Sequence, residues 1–457
     1  MLRETDPQTT LWDALLPEEA KRLPAELAAV GGYLDDDRFL APWRALFSAR
    51  VGRPSVPIET LLRLLYLKHR YGLGYETLCK EVSDSLSWRR FCRIGLDRSV
   101  PHPTTLVKLV GRAGPEVIGQ LNTALVEKLA ADKLLRGRKL RVDTTVVEAD
   151  IDYPTDADLL EQAVRKVGGL VRRIKAQGAA GRTGFRDRGR AAGRRMKQLA
   201  HWLRRRGGVA MVEVDRLTGE VAGLASQTLR QVQAVVRNAR RARRRRPGDG
   251  RLGRLVGELE ETIGHTGRLL AQTDQRLAGN RVIADRLVSL SDPDARPIRK
   301  GKPGRPTEFG YTLLVAEEER GFICDHQLQQ GNPPDAPQLP PAVQRVAEVT
   351  GRVAATVVGD RGFGTAANDR ALAELGVMRI GLQRKGRLSP TRAALERTRA
   401  FRRMRNWRVG IEARISHLKR SFGLRQTRLR RLPGAKTWAG LGILAYNLQQ
   451  MTVVAAG

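Results

Sequence analysis

The 457-residue sequence has only three cysteines, Cys79, Cys92 and Cys324, far apart and with no Cys-x2-Cys pair. That excludes a disulfide framework and a cysteine zinc motif, and it predicts a reducing compartment. No apolar run approaches the roughly 18 uninterrupted residues that a membrane span needs, so no contact with a membrane core is expected. The opening residues, MLRETDPQTTLWDALLPEE, carry acids and a proline where a secretory signal needs an apolar stretch, which predicts a cytoplasmic protein. No internal repeat is visible. Acidic charge is also scarce, with 48 Asp+Glu against 82 Lys+Arg and a formal net charge of +34. A compact chain of that charge repels itself, so the excess predicts an anionic partner. Nucleic acid leads an anionic membrane surface, or a mere coding preference for arginine, as the explanation.

What is present fits a soluble globular chain of two or three domains, with 41% hydrophobic residues. Residues 1–135 read as helical. PIETLLRLLYLKHRYGLGYETLCKEV places Leu61, Leu62, Leu65 and Leu78 on repeating faces, with Pro57 entering the first helix and Gly72-Leu73-Gly74 breaking the pattern. SLSWRRFCRIGL and VPHPTTLVKLVGRAG follow as two more helical elements, the second capped by Thr104 or Thr105. Short helices on tight turns with basic residues between them predict a helix-turn-helix DNA-binding region, against a plain helical bundle.

At Lys139 the character changes. KLRVDTTVVEA is β-branched and apolar and reads as a buried strand. Helical periodicity with heavy basic charge then fills 161–284, predicting an inserted helical subdomain. Its densest cluster, Arg240, Arg241 and Arg243, Arg244, Arg245 and Arg246, is expected to track phosphates, although a like-charge run is more often a solvated face. From about 285, RLVSLSD, the hairpin GYTLLVAEEERGFICDHQL, AATVVGD and VMRIGLQ read as strands. RPIRKGKPGRPTEF reads as a basic loop, and GNPPDAPQLPPAV as a Pro-rich lead into a helix. Strands and helices alternate around a mixed α/β sheet.

Three acids stand out by position. Asp143 lies among apolar neighbours within a strand, where a carboxylate is costly unless paired or bound to metal. Asp360 closes AATVVGD, between Gly359 and Gly362. Glu412 shares one helix face with Arg408 and Lys419. Singly, each has a plain explanation as a turn former or an i,i+4 ion pair. Together, on two strands and a helix in a basic chain, they suit Mg2+ or Mn2+ and phosphodiester chemistry.

The sequence resembles the DDE transposases of bacterial insertion sequences. Their last acid sits in Tyr-x2-Arg-x3-Glu-x6-Lys, and Arg408, Glu412 and Lys419 match that spacing. Arg405 stands where the Tyr would, and Trp407 is offered as the aromatic surface instead. The resemblance extends over about 50–450, through RVDTTVV, VVGDRGF, FGLRQTRLR and GILAYNL. It implies an RNase H-like catalytic domain formed by 136–160 and 285–457, split by the 161–284 insertion and preceded by the all-α region 1–135. It further implies catalysis by Asp143, Asp360 and Glu412 with two Mg2+ (or Mn2+), and DNA contacts from Arg405, Trp407, Arg408 and Lys419. The partners implied are double-stranded DNA, as terminal inverted repeats and target, and a second copy of the chain in a DNA-bound homodimer associated with the nucleoid. An inactive DNA-binding repressor descended from such an enzyme, or an RNase H-like nuclease, are the rival readings.

Overall fold

The computed structural model describes residues 17–48, 51–52, 54–205, 207–280, 282–302 and 305–456, so most of the opening segment lies outside the described residues. The chain forms two compact units, 1–150 with 311–457, and 151–310.

The first unit opens with α1 (Ala25–Tyr33), α2 (Ile58–Arg70), α3 (Tyr75–Asp84), α4 (Leu86–Phe91) and α5 (Pro103–Ala131). Pro57 precedes α2 and Gly74 precedes α3, as the punctuation in the sequence predicts. The cap of α5 differs from expectation. His102, not Thr104 or Thr105, accepts the Thr104 N–H through its ring at 3.3 Å, and Pro103 at the first helical position has no N–H to satisfy. Ile58 through His69 are all buried, so α2 is a central core helix with no open face to lay in a groove. Strand β1 (Lys139–Glu148) follows where the β-branched run predicts it.

The second unit is built on α6 (Asp156–Ala176), α7 (Gly189–Leu203), α8 (Gly208–Arg245) and α9 (Gly250–Leu277). Thr155 starts α6 by accepting the Asp158 N–H at 3.2 Å, and Asp156 and Asp158 suit the positive end of the helix dipole. Val167, Val171, Val232, Val236, Leu255 and Leu259 meet in one dry cluster drawn from α6, α8 and α9.

RLVSLSD is not a strand. Leu287 and Leu290 instead join the helical core, and the Gln272 amide satisfies both the N–H and the carbonyl of Leu287, at 3.0 and 3.1 Å, in place of a neighbouring strand. The segment read as a basic loop carries β2 (Arg296–Lys302), paired antiparallel with the beginning of β3 (Arg305–Glu318).

From Tyr311 the chain is in the first unit again. After β3 come β4 (Ile323–Gln330), α10 (Leu339–Thr350), β5 (Thr356–Gly359), α11 (Ala366–Glu374) and β6 (Arg379–Leu382). The chain ends in α12 (Pro390–Arg397), α13 (Arg399–Ser421) and α14 (Arg431–Ala456). Within this unit the strand order is β4–β3–β1–β5–β6. β1, β5 and β6 run parallel and β3 and β4 antiparallel, so the sheet is mixed, as expected. All four residues of β5 are buried, as befits a strand flanked on both sides by parallel neighbours. α13 packs on β1, β5 and β6, while α14 packs on β4 and on α1, α2 and α5. No helix among the described residues is long and apolar enough to cross a membrane.

Candidate active site

Parallel pairing of β1 with β5 aligns Val142 with Gly359. Each is followed by an aspartate, Asp143 within β1 and Asp360 just past the end of β5, so the pairing brings the two to matching positions along neighbouring strands. Both are partly buried. The Thr144 N–H donates to Asp143 Oδ1 at 2.8 Å, and the Gly362 N–H donates to Asp360 Oδ1 at 2.6 Å. Each carboxylate is therefore oriented by a backbone donor, a charge-assisted hydrogen bond.

The third acid arrives from α13. Arg408 bridges it to the first: Nη2 contacts Glu412 Oε1 at 2.7 Å, and Nη1 lies 3.5 Å from Asp143 Oδ2. The side chains of Asp143 and Arg408 are 14% and 20% exposed, and that of Glu412 is 60% exposed. Arg408 thus joins Glu412 to Asp143, while Asp360 follows the strand paired beside Asp143.

Sequence reasoning missed what seats α13. Glu317 on β3 is fully buried. It accepts from Arg141 Nε and Nη2 at 2.7 and 2.8 Å, and from Arg414 Nε at 2.9 Å. Arg141 also donates to the Trp407 carbonyl at 2.9 Å and lies over the Trp407 ring, 5.0 Å from its centroid. Burial pulls the Arg414 guanidinium down, but Tyr446 and Glu317 outweigh it and hold it above its ordinary value. Arg141 is two residues before Asp143, and Arg414 is two after Glu412. One buried carboxylate thus ties the strand bearing the first acid to the helix bearing the third. A Cβ on Gly410 would collide with the Arg141 guanidinium, so the close approach of helix to strand needs glycine there. The signal available in sequence was Arg141 itself, a cation inside an apolar strand that requires a buried partner.

The other predicted contact residues lie where sequence placed them along the chain. Arg405 is exposed on α13, Trp407 is half-buried under Arg141, and Lys419 is half-buried in the last turn of that helix. Arg243, Arg244 and Arg245 form the exposed last turn of α8, and Arg246 caps it and donates to the Gln177 carbonyl at 3.0 Å.

Whether these acids fit a metal turns on their chemistry and on Arg408. Among the described residues no three acid, His or Cys side chains lie close enough to hold an ion as they stand. The donor set is all carboxylate oxygen, which suits Mg2+ or Mn2+. A guanidinium already spans two of the acids, and Glu412 is exposed enough to turn toward a competing cation. The donor chemistry suits a divalent ion, although the side chains as placed do not enclose one.

Known proteins match the same stretches. The family model of a transposase domain matches residues 12–112, and that of a transposase DDE domain matches residues 267–448. The second contains Asp360 and Glu412, while Asp143 lies between the two. A curated relative from Rhizobium meliloti, "Uncharacterized protein ORF8 in nfe locus", is 29% identical over 160 residues, 34% of this chain and 76% of its own length. No solved structure matches the chain.

Proposed function

We infer that this chain, which belongs to the DDE transposases of insertion sequences, cuts DNA at the ends of its element and joins the freed 3′-OH to target DNA in one site. The pairing of β1 with β5, which sets Asp143 beside the strand that leads into Asp360, and the Arg408 bridge from Asp143 to Glu412 carry this reading. The order β4–β3–β1–β5–β6 supports an RNase H-like catalytic domain interrupted by the unit 151–310.

Transposases of this family generally use divalent ions. Two Mg2+ or Mn2+ ions supply Lewis acidity toward the attacking and leaving oxygens of an in-line displacement. Asp143 and Asp360, oriented by the Thr144 and Gly362 N–H groups, would hold them, and Glu412 would complete the set. Arg408, displaced from the acids, and Lys419 take phosphate oxygens beside the scissile bond, Arg through its planar fork and Lys as a point charge. Arg405 and Trp407 extend that DNA-facing surface along α13. The helical region 1–135 reads the terminal inverted repeats, and two copies of the chain act on a pair of ends.

Asp143→Asn and Asp360→Asn test the reading directly. Each keeps its side-chain shape but loses the charge a metal needs, so Mg2+-dependent cleavage of an end-containing duplex should fall by at least about a thousandfold, on the scale of an essential catalytic group. Gel-shift affinity without metal should stay within a few-fold of wild type. An Asn variant that cuts at the normal rate removes that aspartate from the site.

A further inference from the structure

Asp335 lies in the Pro-rich turn between β4 and α10, in a segment that sequence alone marks only as a lead into a helix. Its Oδ1 accepts the Thr144 hydroxyl at 3.1 Å. Thr144 is the residue whose N–H orients Asp143. The other oxygen faces the second aspartate. A Cβ on Gly362 would lie 2.6 Å from Asp335 Oδ2 and 2.9 Å from Asp360 Oδ1, so both carboxylates converge on the bare α-carbon of that glycine. The turns are also joined behind this contact. The buried Asn368 amide donates to the Ala336 carbonyl and to the Phe363 carbonyl, at 2.8 Å each. The Asp335 turn is thereby fixed to the Asp360 turn by one buried side chain, and to β1 by one hydroxyl.

We propose that Asp335 is a positioning residue of the active site, a strut that sets Asp143 against Asp360 through the Thr144 hydroxyl. The proposal rests on the reading of Asp143 and Asp360 as metal-binding acids. It needs no charge at Asp335, only an acceptor for Thr144, and this separates a strut from a further ligand. An amide can accept that hydrogen bond through its carbonyl oxygen, whereas a methyl cannot.

The experiment measures Mn2+ binding to the full-length protein by electron paramagnetic resonance, with single-turnover cleavage in parallel and thermal melting as the folding control. Asp335→Ala and Thr144→Val should each weaken Mn2+ binding about tenfold, the equivalent of one ~1.4 kcal/mol interaction. The double variant should be no weaker than either single, because both remove the same bond. Asp335→Asn should remain within about twofold of wild type. Additive losses in the double variant, or wild-type affinity in Asp335→Ala, would overturn the strut. So would an Asn variant as weak as the Ala variant, since that assigns the role to charge. Thr144→Val is nearly isosteric and keeps the test decisive should Asp335→Ala fail to fold. Asp143→Asn is the control: if it binds Mn2+ as wild type does, the metal reading fails and takes the strut with it. If only Asp335→Ala matches wild type, the strut alone falls.

Discussion

Glu412 is paired with Arg408 one turn earlier at 2.7 Å, and its side chain is 60% exposed. A helix-surface pair of that kind contributes only about 0.3–0.5 kcal/mol, so on this account Glu412→Gln leaves both melting and cleavage nearly unchanged. The active-site account predicts a different pattern for the same substitution: an unchanged melting curve with cleavage reduced by orders of magnitude. Glu412→Asp should be almost as poor, because one methylene less withdraws the carboxylate by roughly 1.5 Å, the length of a carbon–carbon bond. Single-turnover cleavage across a Mg2+ and Mn2+ titration separates the two. Wild-type rates from Glu412→Gln would return this residue to the helix surface and leave two aspartates in the site. Its pairing with Arg408 was legible in sequence because the two stand four residues apart on one helix face. Asp335 was not, since its partners Thr144 and Gly362 are remote in sequence and meet it only when β1 and the turn after β5 come together.

At the scale of the element, the position of α13 depends on a buried cluster of two cations and one anion, Arg141, Arg414 and Glu317. Removing the anion leaves two guanidinium groups in low dielectric with one partner fewer each, a loss that typically costs about 3–5 kcal/mol. Glu317→Gln should therefore lower stability in urea by that order and reduce cleavage beyond the stability loss, since α13 carries Glu412. A variant destabilised by less than about 1 kcal/mol, the scale of an exposed pair, would show that α13 is held by apolar packing alone.

The elements themselves differ in how plainly sequence declares them. β1, β5 and the hairpin of β3 and β4 were visible as apolar or β-branched runs between turns. β2 was not, because RPIRKGK has the composition of a loop and becomes a strand only by pairing with β3. RLVSLSD erred in the opposite direction. Its leucines satisfy the strand pattern, but they are consumed by a helical core, and Gln272 supplies the hydrogen bonds a sheet would have given. Periodicity reports that a residue will be buried and leaves open what buries it.

For the whole molecule the dominant fact is a net charge of +34. Its densest run falls at the exposed end of α8, where Arg243, Arg244 and Arg245 form the last turn. Two accounts compete there. Cations at a helix C-terminus offset the negative end of the dipole, typically by about 0.3–1 kcal/mol each, and such a role is spent on folding. Cations that meet DNA release counterions, and each phosphate neutralised adds about 0.9 to the slope of log affinity against log salt. Replacing Arg243, Arg244 and Arg245 with Gln distinguishes them. Arg246 is best left in place, since it is tied to the Gln177 carbonyl. On the DNA account the salt slope should fall by about 2–3 and affinity should drop on every duplex alike, with melting little altered. On the dipole account the melting temperature should fall and the slope should hold. A loss confined to duplexes carrying the element's ends would mean instead that this turn reads sequence, which phosphate contacts cannot do.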